Sequence, residues 1–244
     1  MARILLIETS TSVLSVALAQ DGTVVSERVC SEPRMQASLT APLVKEVLDQ
    51  AGLAARDCDA VCVSCGPGSY TGLRVGVSTA KGLAFGAGIP LLAVGTLDIL
   101  VSGASGAKRP RGSGGVAPKS VEDKDDERQF IVPMIDARRM EVYTAVYSAE
   151  GNRLTQVEAK VVNAESFAEY LEQGPVLFVG DGALKCKGVI GHPNARFREA
   201  YPLARDMAKL SQEAFEQGKF EDLAYFEPFY LKDFIATVSK KNLW

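Results

Sequence analysis

The stretch ILLIETSTSVLSVALAQDGTVVSERV, residues 4–29, predicts three β-strands that follow one another along the chain. Asp21 and Gly22 stand between two runs of strand-forming residues, which is a strong signal for a tight hairpin. The turn before them, around residues 9–12, consists mostly of hydroxyl side chains. Helices and strands then alternate: we predict helices at 35–51 and 70–86, strands at 59–65 and 91–95, and a further helix with Thr96 as its N-cap.

The second half of the chain repeats this order. We predict three strands between residues 129 and 162, including 141–147 and 156–162, with a polar first turn at 136–139. A helix at 164–173, a strand at 175–180 and a helix at 204–217 follow. A three-strand meander followed by a helix and a strand, occurring twice, is the plan of the actin, sugar kinase and Hsp70 superfold. The predicted fold class is therefore α/β, with two actin-like (ASKHA, ribonuclease H-like) domains, each a mixed sheet with helices.

Residues 103–128 separate the two halves and are rich in Gly, Ser and Pro. We interpret them as a flexible insertion or linker. The predicted domains are an N-terminal actin-like domain at 1–102 and a smaller C-terminal actin-like domain at 129–244. The last helix of the second domain can return to the first.

The composition narrows the class of protein. The chain has 244 residues, of which 47% are hydrophobic, and a formal net charge of −3, which does not indicate a strongly basic nucleic-acid binder. The N-terminus lacks the features of a secretory signal, and no apolar run approaches the ~20 residues of a membrane span. We therefore expect a cytoplasmic protein without a membrane partner.

Metal chemistry is not favoured by the cysteine and histidine pattern. Cys58, Cys62 and Cys65 have the C-x3-C-x2-C spacing of radical-SAM iron–sulfur sites, but Cys62 and Cys65 lie on a predicted strand. Strand side chains alternate between faces, so these two thiols point to opposite sides and cannot share a cluster. His192 is the single histidine and is expected in a surface loop. We predict reduced structural thiols and no metal site.

The glycine-rich turn after the fourth strand resembles phosphate-binding loops without matching one. The sequence at residues 66–72, GPGSYTG, lacks the lysine of a Walker A loop, and its third glycine comes one residue late for the dinucleotide fingerprint. A helix N-terminus can still bind an anion. The candidate anion or nucleotide residues are Glu8, Thr9 and Ser10 in the first turn, Ser69, Tyr70 and Thr71 at the helix start, and Asp136 in the second turn.

The helix that follows carries glycine at positions 72, 76, 82 and 86. These four glycines together cost ~3–4 kcal/mol of helix stability relative to alanine. Such a cost indicates that another backbone approaches closely. The residues alone leave open whether that neighbour belongs to the core or to a partner.

Several longer stretches closely resemble the TsaB (YeaZ) family. They are ILLIETSTSVLSVAL, GPGSYTGLRVGVSTAKGLAFGAGIPLLAVGTLDIL, MIDARRMEVYTAVY and EPFYLKDF. The resemblance implies a non-catalytic scaffold or activator subunit of the complex that installs threonylcarbamoyl on adenosine next to the anticodon of tRNA. It implies dimerisation with the transferase paralogue TsaD, an additional TsaE-type ATPase, a homodimer when alone, and tRNA contact only through the complex.

The resemblance also implies that the functional residues form a partner-binding surface and that none of them is catalytic. The related transferase has a His-x-x-x-His metal pair, whereas the corresponding helix here reads MQASLTAPLVKEVL. No tightly bound cofactor is expected, and a nucleotide at the partner interface is left open. The implied interface residues are Met35, Leu39, Leu43, Gly72, Leu73, Val75, Gly76, Thr79 and Leu83.

The alternative function is a stand-alone ATP-binding or protease-like enzyme of the same superfold. A single histidine and the lack of a Gly-x-Ser-x-Gly motif argue against a protease. The first turn lacks glycine, which weakens the case for tight ATP binding because side chains keep phosphate away from the backbone amides.

Overall fold

Two mixed β-sheets, one from each half of the chain, organise the computed structural model, which describes residues 1–105 and 128–232. The first sheet contains β1 (Arg3–Glu8), β2 (Leu14–Gln20), β3 (Thr23–Cys30), β4 (Ala60–Gly66) and β5 (Leu91–Gly95). The second contains β6 (Phe130–Asp136), β7 (Glu141–Thr144), β8 (Tyr147–Ser148), β9 (Glu158–Val161), β10 (Val176–Val179) and β11 (Ala195–Arg198). The helices are α1 (Gln36–Ala51), α2 (Tyr70–Ala87), α3 (Thr96–Ser105), α4 (Ala168–Gln173), α5 (Ala183–Cys186) and α6 (Ala208–Glu216).

The two sheets have the same topology. The first has the order β3-β2-β1-β4-β5, and the second has the order β9-β7-β6-β10-β11 with β8 also paired to β6. In each, an antiparallel meander is extended by two strands parallel to its first strand. This repeated arrangement confirms the predicted α/β fold with two mixed, actin-like sheets.

Helices cover both faces of the first sheet. The stripe of α1 with Leu43, Val47 and Leu48 packs with α2 against one face, where Leu5 and Val63 lie. On the other face, α6 and the 3₁₀ turn before it (Ala204–Met207) cover Ile4, Leu6 and Cys62. The last helix therefore lies on the first sheet although it follows the second along the chain.

The two halves meet at α3. Leu97, Leu100 and Val101 of this helix pack against Ile131 and Leu177 of the second sheet. The hydroxyl of Tyr147 donates a hydrogen bond of 2.8 Å to Asp98 Oδ1 and so joins the two halves at their boundary. The core of the second sheet lies on its other face, around α4 and Phe178.

Several predicted boundaries are wrong for local reasons. The predicted strand at 141–147 is divided into β7 and β8, and between them the Val146 amide donates to Thr155 Oγ1 at 2.9 Å. The helix predicted from residue 164 begins at Ala168, because Asn163 caps a turn and Phe167 adopts a left-handed φ of 65°.

Two further boundaries concern α3. Thr96 is its first helical residue rather than the cap before it, and Thr96 Oγ1 is buried with no hydrogen-bond partner among the described residues. The helix also continues through Ser105, so residues 103–105 do not belong to the predicted linker. The rest of that predicted insertion lies almost entirely outside the described residues. No helix in the described part of the chain is long and apolar enough to cross a membrane.

The segment after α6, residues 217–232, runs back over the first half of the chain. The Glu221 amide donates to the Leu91 carbonyl at the edge of the first sheet, and the Phe229 amide donates to the Cys65 carbonyl at 2.7 Å. Lys81 of α2 donates to the Phe226 carbonyl at 3.0 Å. The segment then reaches the second half, where Lys232 pairs with Glu141.

Candidate functional site

The turn between β1 and β2 sits directly on the start of α2, and we call this contact the closed cradle (residues 8–11 with 66–76). The hydroxyl of Thr9 donates to the Gly72 carbonyl at 2.8 Å, and the Ser69 amide donates to the Ser10 carbonyl at 2.7 Å. Thr9 and Ser10 are both almost completely buried. The turn therefore packs along the first turns of α2 and uses the Ser69 amide at the start of that helix.

Glycine is required at three positions for this contact. A Cβ atom at Gly68 would overlap the Ser10 carbonyl, one at Gly72 would overlap the Thr9 carbonyl, and one at Gly76 would overlap the Thr9 hydroxyl. For Gly72 and Gly76, the close neighbour that the glycine pattern predicts is thus the chain's own first turn, whereas Gly82 and Gly86 have no neighbour within 4 Å of a Cβ atom among the described residues.

Glu8 lies under the closed cradle and is fully buried. Its Oε1 accepts a hydrogen bond of 2.5 Å from the Ser10 amide, whereas its Oε2 has no hydrogen-bond partner among the described residues. Burial raises the pKa of Glu8 to about 7, and hydrogen bonds from Ser10 and Ser64 only partly offset that rise. A carboxyl group in this position repels a phosphate whenever it is ionised.

The structure brings together only part of the predicted anion site. Glu8, Thr9, Ser10 and Ser69 meet in the closed cradle, where the Ser69 amide donates to the Ser10 carbonyl, while Glu8 Oε2 and Ser10 Oγ are buried without a hydrogen-bond partner among the described residues. The Tyr70 ring contacts Tyr230, with centroids 4.8 Å apart, and Thr71 is exposed. Residues 8–10 are thus buried in the fold, and their role as an anion site stays a prediction.

Asp136 belongs to a separate network at the equivalent place in the second sheet. Its carboxylate pairs with Lys185 and accepts a hydrogen bond of 2.8 Å from the Arg138 amide. The Asp136 amide donates to Asp181 Oδ1 at 2.9 Å, and burial raises the pKa of Asp181 to about 6. Sequence reasoning missed Asp181. The signal was Gly180-Asp181-Gly182 after β10, the counterpart of Gly66-Pro67-Gly68 after β4.

The cysteines do not converge. Cys58 packs in the core beneath α1 and α2, whereas Cys62 faces α6 on the other side of the sheet. Burial raises the pKa of Cys58 to about 11 and that of Cys65 to about 12, so both remain thiols at neutral pH. Among the described residues, no group of three or more His, Cys, Asp or Glu side chains could hold a metal ion. His192 is half-buried, and its Nδ1 accepts a hydrogen bond from the Asn194 amide.

The predicted interface residues fall into two sets. Gly72, Leu73 and Gly76 are buried against the same chain, which corrects their assignment to a partner surface. Leu43 is only 8% exposed and belongs to the same buried set. Their inward position follows from the contact with the first turn. The remaining five are partly exposed on the outer side of α1 and α2: Met35, Leu39, Val75, Thr79 and Leu83.

Sequence reasoning missed the most exposed apolar side chain on this surface. Phe85 of α2 is 80% exposed. Gly82 and Gly86 lie on the same side, and a Cβ atom at either would meet nothing within 4 Å. With Leu83 they line a shallow groove against residues 54–56. We call Val75, Thr79, Gly82, Phe85 and Gly86 the outer face of α2.

Comparisons with known proteins identify the family. The chain matches the family model described as "TsaD: tRNA N6-adenosine threonylcarbamoyltransferase" over residues 33–237. It is 33% identical to the tRNA threonylcarbamoyladenosine biosynthesis protein TsaB of Escherichia coli (strain K12), with 96% of each chain covered. It is 32% identical to the protein of the same name from Bacillus subtilis (strain 168), covering 77% of this chain and 79% of that one.

A solved structure agrees with these matches. YeaZ from Pseudomonas aeruginosa superposes with a TM-score of 0.77 at 27% identity, covering 95% of this chain and 100% of the other. Because the similarity to TsaB and YeaZ extends over nearly the whole chain, this protein belongs to the TsaB (YeaZ) family.

Proposed function

We propose that this protein is a non-catalytic subunit in the biosynthesis of threonylcarbamoyladenosine on tRNA, and that it acts by docking onto a TsaD-type transferase. The observation that carries the proposal is the division of α2 into two faces. Its inner face is filled by the chain's own first turn, and its outer face presents Phe85 beside two glycines. The names of the TsaB relatives support the reaction.

The non-catalytic part of the proposal rests on the closed cradle. In an actin-like kinase this region must admit phosphate, and only glycine allows backbone amides to approach phosphate closely. Here Thr9 and Ser10 occupy that space, and the Ser69 amide is already used. The isolated chain therefore has no tightly bound nucleotide in its first half.

The docking part rests on the outer face of α2. Small residues allow a partner helix to approach closely, and an exposed phenylalanine provides the large apolar contact that anchors interfaces. Phe85 is 80% exposed and lies beside two exposed glycines, Gly82 and Gly86, so a partner surface can reach it without obstruction. We infer that a TsaD-type subunit covers it in the complex, that a second copy covers it when the chain is alone, and that TsaE and tRNA join only afterwards.

Co-elution of the chain with a TsaD-type subunit tests the docking surface. Gly82→Arg places a long charged side chain on the outer face of α2 without a clash inside the fold, so it should abolish co-elution. Gly188→Arg is the matched control, because Gly188 is exposed and a Cβ there also meets nothing within 4 Å. Equal co-elution of both variants would refute the proposed surface.

Sedimentation of the chain alone should show a dimer that Gly82→Arg converts to a monomer.

Calorimetric titration separates this proposal from a stand-alone ATPase. The isolated chain should bind ATP with magnesium no better than millimolar affinity, because the cradle is closed. Micromolar binding by the isolated chain would favour the alternative function of an ATP-binding enzyme.

A further inference from the structure

A strip of aromatic and cationic side chains crosses from α2 to the second half of the chain. Arg74 lies over the Tyr70 ring, with its guanidinium carbon 5.4 Å from the centroid, and Tyr70 contacts the Tyr230 ring at 4.8 Å. Two residues further on, Lys232 lies 5.8 Å from the centroid of the Tyr143 ring. We call Arg74, Tyr70, Tyr230, Lys232 and Tyr143 the aromatic–cationic strip.

The C-terminal segment positions the strip. The Phe229 amide donates to the Cys65 carbonyl, and a Cβ atom at Gly66 would lie only 2.7 Å from the Phe229 carbonyl oxygen. This close contact fixes the segment across the glycine turn, next to the start of α2. Leu223 and Phe226 of the segment pack against the core, whereas two aromatic side chains remain outside: Phe229 is 46% exposed and Tyr230 is 36% exposed.

The charges around the strip are mostly positive. Arg74 is exposed and makes no ion pair with a carboxylate of the described residues. Lys232 pairs with Glu141 at the end of the β6–β7 turn, which also carries Arg138 and Arg139. Both arginines are exposed and hold left-handed φ values of 71° and 52°. The acidic side chains near the strip include Glu141, which pairs with Lys232, Asp136 of the same turn, which pairs with Lys185, and Glu227, which lies near Tyr230.

We propose that the aromatic–cationic strip binds unpaired nucleotides of the tRNA, in an inference that rests on the proposed function. Bases of single-stranded RNA stack on tyrosine rings and on guanidinium planes, and the neighbouring cations neutralise phosphates. Two tyrosine rings in contact at an interplanar angle of 36°, with an arginine over one of them, suit this chemistry. An acidic peptide would engage the cations but would leave the exposed ring faces without a planar partner.

The experiment measures binding of an unmodified tRNA transcript to the complex of this chain with the TsaD-type subunit. Tyr230→Ala should weaken binding about tenfold or more through loss of a stacked base. Tyr225→Ala is the matched control on the same segment, since Tyr225 is 84% exposed and lies outside the strip. It should bind like the wild type.

A charge variant tests the phosphate contacts independently. Arg139→Gln should lower the slope of log affinity against log salt by about 0.7 for each lost phosphate contact. Lys209→Gln, an exposed cation on α6 on the other side of the first sheet, should leave the slope unchanged. Wild-type affinity for both Tyr230→Ala and Arg139→Gln would overturn the proposal.

The co-elution and tRNA-binding experiments distinguish an error in the RNA proposal from an error in the proposed function. Loss of co-elution with the TsaD-type subunit by Tyr230→Ala, with unchanged tRNA affinity per assembled complex, would show a protein contact and overturn the RNA proposal. If the wild-type chain does not co-elute at all, the proposed function fails. In that case, titration of the unmodified tRNA transcript with the isolated chain tests the strip. Tyr230→Ala must again weaken tRNA binding relative to Tyr225→Ala.

Discussion

Replacing single glycines of α2 by alanine should separate its two faces by the sign of the change in stability. Gly72 and Gly82 lie in the same helix, and neither has a positive φ. A Cβ atom at Gly72 would overlap the Thr9 carbonyl, whereas one at Gly82 would meet nothing within 4 Å. The same chemical change is therefore made once against the closed cradle and once in open space.

The magnitudes follow from three contributions. At Gly82, alanine adds helix propensity and should stabilise the fold by up to about 1 kcal/mol. At Gly72, overpacking against backbone should cost about 1–3 kcal/mol, and displacing the Thr9 hydrogen bond should cost about 1 kcal/mol more. Because the propensity gain offsets only part of this, Gly72→Ala should lose about 1–3 kcal/mol net.

Urea denaturation of the isolated chain measures both free energies of unfolding. The comparison requires equal m-values, so that the change in midpoint reports stability alone. Gly72→Ala should also be measured in the Gly82→Arg background, which we expect to be monomeric, so that dimerisation does not contribute to its effect. A Gly72→Ala variant as stable as its background would refute the idea that the first turn fills the cradle.

Two further predictions concern buried polar groups. Glu8 has a folded-state pKa of about 7 against an ordinary value of 4.5, so its ionisation opposes folding, and stability should fall by about 1.4 kcal/mol per pH unit as pH rises between these values. Glu8→Gln should lose that dependence and exceed the wild type in stability at pH 8, as urea denaturation at pH 5 and 8 will show; parallel pH profiles would contradict the assignment. Tyr147→Phe removes the hydrogen bond to Asp98 that joins the two halves and should lower the free energy of unfolding by about 1.5–3 kcal/mol, whereas an unchanged value would mean that the bond contributes nothing.

The strands could be predicted from the sequence because their signals are local. Alternating apolar residues, the Asp21-Gly22 turn and the apolar run of β4 each specify a strand or hairpin without reference to the rest of the chain. The order of these elements then limits the topology. Shorter elements of the second half were less predictable, since the Asn163 turn and the break at Val146 depend on side-chain hydrogen bonds between residues.

The orientation of α2 could not be predicted because both of its faces are made of small residues. The buried residues are Gly72, Leu73, Gly76, Val77, Ala80 and Ala84, so four of the six are glycine or alanine. The outer face contains Thr79, Gly82 and Gly86. Periodicity shows which residues share a face, but the glycines at 72, 76, 82 and 86 do not themselves indicate which side is covered by the same chain and which is open. Only the position of Thr9 in space determines that Gly72 and Gly76 point inward.

The two halves close equivalent sites by different chemistry. In the first sheet, the turn after β1 packs on the loop after β4 through hydroxyl groups and the glycines Gly68 and Gly72. In the second, the loop after β10 closes on the end of β6, because Asp181 accepts from the Asp136 amide and a Cβ atom at Gly182 would lie 3.1 Å from that nitrogen. In open α/β sheets, ligands bind at the carboxyl ends of strands where the connections diverge, and at both such places the chain makes close contacts with itself. The outer face of α2 lies on the side of that helix away from the first of these contacts.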